Sequence, residues 1–268
     1  MTSGVNDSIV NVTKLRSSGG VSICIPNWNH RSFLSRSVGS AVKAARSLKE
    51  RGLGAQVLII DDYSRDGSQR YLFSSALYGD GDLIDIIVKK DNRGLSDTRN
   101  MALIHAKYNI ICFLDADNEL IAENLYNFWL AMIETDATLV YGNLFRVVGE
   151  KTEGLISNDF VDEALYIENY IDAFCLVNAD RCLEVGGYYV KKTTSHEDWE
   201  LVLHLIAENE DIVFVPMLLG KYHVSNLSMV QTEQFDHSKI RRIFNQRGLG
   251  LPMAYKRRRI YHPALGWL

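Results

Sequence analysis

Residues 109–118 read NIICFLDADN. The apolar run Asn109–Leu114 is too short for a stable helix and has the length of a buried strand. It ends on two carboxylates, Asp115 and Asp117, with one alanine between them. Working backwards, Ile84–Val88 (IDIIV), Gln56–Ile60 (QVLII) and Val21–Pro26 (VSICIP) are runs of the same kind. Helical patterns separate them. Leu34, Val38, Ala41, Val42, Ala45 and Leu48 recur at helical spacing, and Gly52 and Gly54 close that helix. Further helices are expected over Gln69–Leu77 and Asp97–Ala106. Strand and helix thus alternate, which predicts an α/β chain: a mainly parallel central sheet with right-handed crossovers and flanking helices.

In such sheets ligands bind beyond the carboxyl ends of the strands. The polar residues fall there: Asn27-Trp28-Asn29, Asp61-Asp62, and Asp115 with Asp117. After Asp117 the alternation loosens. Leu125–Ile133 reads as a helix, Ala137–Tyr141 and Leu144–Val148 as two strands about Gly142-Asn143, and Asn178–Glu184 as a short helix before Gly186-Gly187-Tyr188. A helix over Asp198–Asn209 and a strand over Ile212–Pro216 follow. No periodic pattern organises residues 150–175.

The 268 residues, 47% hydrophobic and 23% charged, suffice for one large α/β domain or two small ones. A net charge of -4 argues against a nucleic-acid binder. Cys24, Cys112, Cys175 and Cys182 form no CxxC pair, so they are expected to be reduced core thiols, as suits a cytoplasmic protein. The first residues lack the pattern of a signal peptide, and no apolar run reaches the ~18 residues that span a bilayer. From Ser238 onward there is no acidic residue, while Lys239, Arg241, Arg242, Arg247 and Lys256–Arg259 are basic. With Ile240, Ile243 and Phe244 at helical spacing, this stretch is expected to contact anionic lipid as a peripheral membrane element.

Some residue types at the strand ends carry chemistry. Asp115 and Asp117 offer oxygen ligands to a hard cation, Mg2+ or Mn2+, which needs only one or two carboxylates when phosphates supply the rest. Trp28 can stack on a base. Asp62 can accept a hydrogen bond from a base N–H, with Asp61 as the turn-forming neighbour. Arg99, in the helix after NRGLS, suits diphosphate oxygens or a base carbonyl, and would otherwise be a solvated helix residue.

Five blocks, VSICIPNWN, VLIIDDYSRDGS, NRGLSDTRNMAL, FLDADN and HEDWEL, occur in that order across residues 20–230. They resemble the signature blocks of the family 2 inverting glycosyltransferases, nucleotide-diphospho-sugar transferases with the GT-A fold. The resemblance implies a hexose carried from a UDP-sugar to a hydroxyl of a glycan or lipid-linked acceptor, in surface polysaccharide or glycolipid synthesis, with Mn2+ or Mg2+ as cofactor. It implies a donor site of Pro26, Trp28, Asp62, Arg99, Asp115 and Asp117, with Trp28 where the family has tyrosine. Asp117, Asp115 and His223 would hold the metal. Asp198 would be the general base, with Glu197 beside it as substitute or positioning group. His196, just before that pair, is a second candidate for the acceptor pocket.

The domain boundaries follow: a tail at 1–19, a nucleotide-binding half at 20–117, an acceptor half at 118–235 and a basic segment at 236–268. Tyr63, in the DDYS block, stands where the pattern has a smaller residue. A nucleotidyltransferase of similar fold would have a glycine-rich basic loop after the first strand, and Asn27-Trp28-Asn29-His30 has no glycine. A hydride-transfer enzyme would show GxGxxG after a strand, which is absent. An inactive nucleotide-sugar-binding module would have lost one of Asp62, Asp117 or Asp198, and all three are present.

Overall fold

The computed structural model describes residues 16–74, 82–156, 165, 169–190, 196–224 and 260–268. The strands are β1 (Ser17–Asn27), β2 (Gly54–Asp61), β3 (Ile84–Val88), β4 (Tyr108–Phe113), β5 (Glu119–Leu120), β6 (Leu139–Val148), β7 (Lys151–Ile156), β8 (Leu176–Asn178), β9 (Ile212–Val224), β10 (Tyr261–His262) and β11 (Gly266–Trp267). The helices are α1 (Leu34–Glu50), α2 (Ser68–Leu72), α3 (Leu95–His105), α4 (Leu125–Thr135), α5 (Ala179–Glu184) and α6 (Glu197–Ala207).

One sheet runs β3-β2-β1-β4-β8-β6-β9-β5, with β7 added to β6. The first four are parallel. β8 is antiparallel to both β4 and β6, whereas β6 and β9 are parallel. The strand order reverses at β1, so a crevice opens between the carboxyl ends of β1 and β4. Pro26 fits this position. β1 pairs with β4 only as far as Cys24. The N–H that proline lacks would have pointed to the β4 side, past the last ladder bond.

Alternation along each strand divides the core. Val21, Ile23 and Ile25 face one side with Val38, Ala41 and Leu48 of α1 and Phe128 of α4. Cys24, Leu58, Ile60 and Phe113 face the other with Leu103 of α3, Cys182 of α5 and Leu205 of α6. All four cysteines are free and buried.

Three expectations need adjustment. Gly142-Asn143 is no turn: β6 runs unbroken through it. A Cβ on Gly142 would lie 2.4 Å from the Phe128 ring and 2.7 Å from the Met217 carbonyl, so this glycine admits Phe128 to the core. β9 continues beyond Pro216 because its register against β6 jumps from Gly142↔Val215 to Asn143↔Leu218, leaving Pro216 and Met217 in a bulge. Ser17–Gly19, expected to belong to the tail, are part of β1, and the Trp129 indole donates to the Ser18 carbonyl at 3.0 Å. The basic residues from Lys239 to Arg259 lie outside the described residues. The last nine residues pack back: Ile260 bridges Phe214, and Tyr261 is buried against the α1–α4 side. No helix among the described residues is long and apolar enough to cross a membrane.

Candidate active site

Asp61 ends β2, fully buried. Its Oδ1 accepts the Ser64 N–H at 2.9 Å and Gln69 Nε2 at 3.0 Å, and its Oδ2 accepts Asn27 Nδ2 at 2.7 Å. It ties the ends of β1 and β2 together, the turn role expected for it. Asp62 reaches sideways. Oδ1 accepts the Arg93 N–H at 2.9 Å and Oδ2 the Gly94 N–H at 2.7 Å, while Lys89 Nζ lies 2.6 Å from Oδ1. A carboxylate has about four lone-pair positions, so Asp62 keeps capacity for a further donor while it anchors the loop into α3. Lys89 also pairs with Asp97 at 2.7 Å. Sequence reasoning passed over Lys89, although it follows β3 as Asp62 follows β2.

Trp28 is 50% exposed at the end of β1, and Tyr63 is 38% exposed one residue beyond Asp62. Tyr63 holds φ 64°, a left-handed conformation costing about 1–3 kcal/mol for a non-glycine residue. The bonds from Asp62 N to Asn27 O (2.8 Å) and from Ser64 N to Asp61 impose it. Two solvent-facing aromatics thus stand at adjacent strand ends, where stacking on a base would cover them.

Across the crevice Arg99 is 2% exposed, not solvated. One Nη donates to Glu197 Oε1 and the other to Asp115 Oδ1 at 2.9 Å, while the Tyr188 ring lies 5.6 Å from the guanidinium. Burial alone would lower its pKa, yet Asp115 and Glu197 raise it well above normal, so the charge is permanent. Burial raises the Glu197 pKa; Arg99 opposes this and Asp198 adds to it. Asp198, on the first turn of α6, is half-buried. Its Oδ1 accepts the Trp199 N–H at 2.7 Å and its Oδ2 accepts Asn169 Nδ2 at 3.0 Å. His196 is buried at the N-cap position of α6, with its ring edge-on to Trp199. Tyr188 is pinned by Asn100, which donates to its carbonyl (2.6 Å) and accepts its N–H (2.7 Å).

Asp172 joins this group, and nothing in residues 150–175 signalled it. Burial, then the neighbouring Asp115, pushes its pKa up to about 7. A carboxyl that binds its proton more tightly when folded stabilises the fold fully below its unfolded pKa of about 3.9 and loses that contribution as pH rises toward 7. Asp172→Asn keeps an acceptor for the Phe174 N–H, which now lies 2.8 Å away. The variant is expected to exceed wild-type stability by about 2–4 kcal/mol near pH 8 and to approach it near pH 4. Denaturant unfolding at the two pH values measures this; a pH-independent difference would refute it.

Asp117 lies two residues beyond Asp115 on the loop between β4 and β5. Burial and then Asp115 raise its pKa, with His30 and Arg36 opposing. Arg36 donates to the Asp117 carbonyl and so holds the loop against α1. The His223 N–H donates to Asn118 Oδ1 at 3.0 Å, which brings the end of β9 beside the loop. The His223 ring, however, faces Glu119 Oε2 at 3.5 Å, and burial followed by Arg36 lowers its pKa. Among the described residues no three His, Cys, Asp or Glu side chains are gathered closely enough to hold a metal. The expected trio of Asp115, Asp117 and His223 is therefore not preassembled: Asp115 pairs with Arg99, and His223 stands beside Glu119 with its Nε2 lacking a hydrogen-bond partner among the described residues. Asp115 and Asp117 still fit a divalent cation: burial first and the neighbouring Asp115 second raise the Asp117 pKa, and a cation between the two carboxylates would offset both.

The glycosyl transferase family 2 model matches residues 22–180. The chain belongs to that family. The glycosyltransferase GlyA of Streptococcus pneumoniae serotype 4 is 21% identical over 240 residues, 82% of this chain and 33% of that protein. WfgD of Escherichia coli, a UDP-Glc:alpha-D-GlcNAc-diphosphoundecaprenol beta-1,3-glucosyltransferase, is 29% identical over 123 residues, 46% of this chain and 45% of that one. The chain thus spans less than half the length of either relative. Staphylococcus aureus TarS 1-349 in complex with UDP-GlcNAc matches the fold at TM-score 0.67 and 13% identity, covering 88% of this chain and 68% of that one. The mannosyltransferase PcManGT of Pyrobaculum calidifontis, with GDP-Man and Mn2+, matches at 0.58 and 15% identity, covering 83% and 60%. The fold is the mixed α/β GT-A fold expected from the sequence.

Proposed function

We propose that the chain transfers a hexose from a nucleotide-diphosphate sugar, most simply a UDP-sugar, to an acceptor hydroxyl with inversion. The observation that carries this reading is the convergence of Asp115, Arg99, Glu197 and Asp198 on the crevice where β1 and β4 part. Trp28 and Tyr63 would sandwich or flank the base, and Asp62 would take a base N–H with its remaining lone pair. Asp115 and Asp117 would hold Mn2+ or Mg2+, which when bound neutralises charge on the departing diphosphate. Asp198 takes the acceptor proton. It lies at the end of α6, its two oxygens each fixed by one donor, with lone pairs left for the hydroxyl. A single base on the face opposite the leaving group gives inversion. WfgD is named for a UDP-glucose donor and a lipid-linked acceptor, TarS is in complex with UDP-GlcNAc and PcManGT with GDP-Man. These agree with a role in surface polysaccharide or glycolipid synthesis on the cytoplasmic face of a membrane.

Calorimetric titration of UDP with and without Mn2+, on the wild type and on Asp117→Ala, tests the donor site. Metal-dependent binding that disappears in the variant is the expected result. Absence of UDP binding under every metal condition would overturn the uridine assignment, and GDP and TDP titrations would then show whether another nucleotide binds.

A further inference from the structure

The acceptor side carries one polar group that the reaction outlined above leaves unused. Asn169 donates through Nδ2 to Asp198 Oδ2 at 3.0 Å. This fixes the amide's orientation, because a flipped amide would set its oxygen against the carboxylate. Oδ1 therefore points away from Asp198. It is shielded from solvent and has no hydrogen-bond partner among the described residues. A buried carbonyl without a donor is unfavourable and invites one from a ligand. The backbone that presents it is anchored. Tyr170 and Ile171 are buried, Asp172 caps the Phe174 N–H, and the Cys175 carbonyl accepts from Phe113 in β4.

We infer that Asn169 has two tasks: its amide N–H holds Asp198 in the orientation that receives the acceptor proton, and its carbonyl accepts a hydrogen bond from a second donor on the acceptor, beside the attacked hydroxyl. The inference rests on Asp198 being the base. The chemistry selects the acceptor class. A sugar ring carries a hydroxyl or acetamide N–H on the carbon next to each hydroxyl, so one acceptor residue can engage Asp198 and Asn169 together. A simple alcohol can satisfy only Asp198. Asn169 is thus a positioning and specificity residue for a sugar acceptor.

The test uses the full chain with UDP-glucose and a synthetic GlcNAc-diphospholipid, measuring initial rates for wild type, Asn169→Ala, Asn169→Asp and Asp198→Asn. Asn169→Ala should lower kcat by roughly 10- to 100-fold and raise the acceptor KM roughly 3- to 10-fold, with the donor KM unchanged. Asn169→Asp retains an acceptor oxygen but sets a negative charge beside Asp198. It should keep the acceptor KM near wild type while moving the acid limb of the kcat–pH profile upward. An acceptor lacking the neighbouring hydroxyl or acetamide should show the same KM with wild type and Asn169→Ala. An unchanged acceptor KM in Asn169→Ala, or equal losses in both variants with a matching fall in Tm, would overturn the inference. Retained activity in Asp198→Asn would instead remove the base assignment on which it stands.

Discussion

Asp198→Asn is expected to lower kcat for sugar transfer by about 10²–10⁴-fold, the range spanned by a positioned general base. The side chains are nearly isosteric. The amide oxygen can still accept the Trp199 N–H or the Asn169 amide, so α6 should start where it does now. What the variant cannot do is take a proton from the attacking hydroxyl. UDP affinity should be unchanged, because the proposed donor residues follow β1, β2 and β4 or stand on α3, and none of them is hydrogen-bonded to Asp198 among the described residues. Steady-state rates beside UDP titration separate the two effects. Equal losses of nucleotide affinity and rate would mean that the residue shapes the donor site instead.

Arg99→Met should cost about 3–5 kcal/mol of unfolding free energy, the penalty for stranding a buried charge by deleting its partner. Methionine fills part of the volume and leaves Asp115 and Glu197 without their shared cation. The loss has a direction in pH. Burial already raises the Glu197 pKa, and without Arg99 it rises further, so the variant's deficit grows as pH climbs through that pKa and shrinks in acid. Adding Glu197→Gln should restore part of the stability, since it removes one of the two orphaned charges. Urea unfolding of the four proteins of this cycle measures the coupling. Strict additivity of the single changes would show that the arginine does not bind the two carboxylates as one unit.

The parallel half of the sheet was legible because each of its strands is an apolar run closed by polar residues, from Val21–Pro26 through Asn109–Leu114. Local rules suffice there, since β1, β2 and β3 pair in chain order and only β4 returns to the other side of β1. Beyond Asp117 they fail for identifiable reasons. Gly142 looked like a turn because a glycine's role depends on what approaches it, and Phe128 is invisible in that local window. The continuation of β9 past Pro216 depends on a bulge against β6. At the site, Asp62, Arg99, Asp115 and Asp198 were named from their blocks, but what Arg99 does was not. A guanidinium beside NRGLS says nothing of a glutamate 98 residues away. Asn169 and Asp172 lie in a stretch without periodicity, so only the tertiary arrangement reveals them.

The short strand β5 has a consequence for how the chain is made. It follows the Asp115–Asp117 loop directly, yet its partner is β9, through Glu119↔Lys221 and Leu120↔Gly220. The same late strand supplies the His223 N–H that fastens Asn118. On the ribosome, synthesis therefore delivers the carboxylate loop long before the segment that locks it. The far side of the crevice waits as well, because Glu197 and Asp198 also arrive late. The early parallel strands can assemble without any of this. Closing such distant pairings comes at an entropic penalty that slows folding. The first half of the chain thus lacks Glu197, Asp198 and the strand that holds β5, and the rim of the crevice is complete only with β9 between β6 and β5.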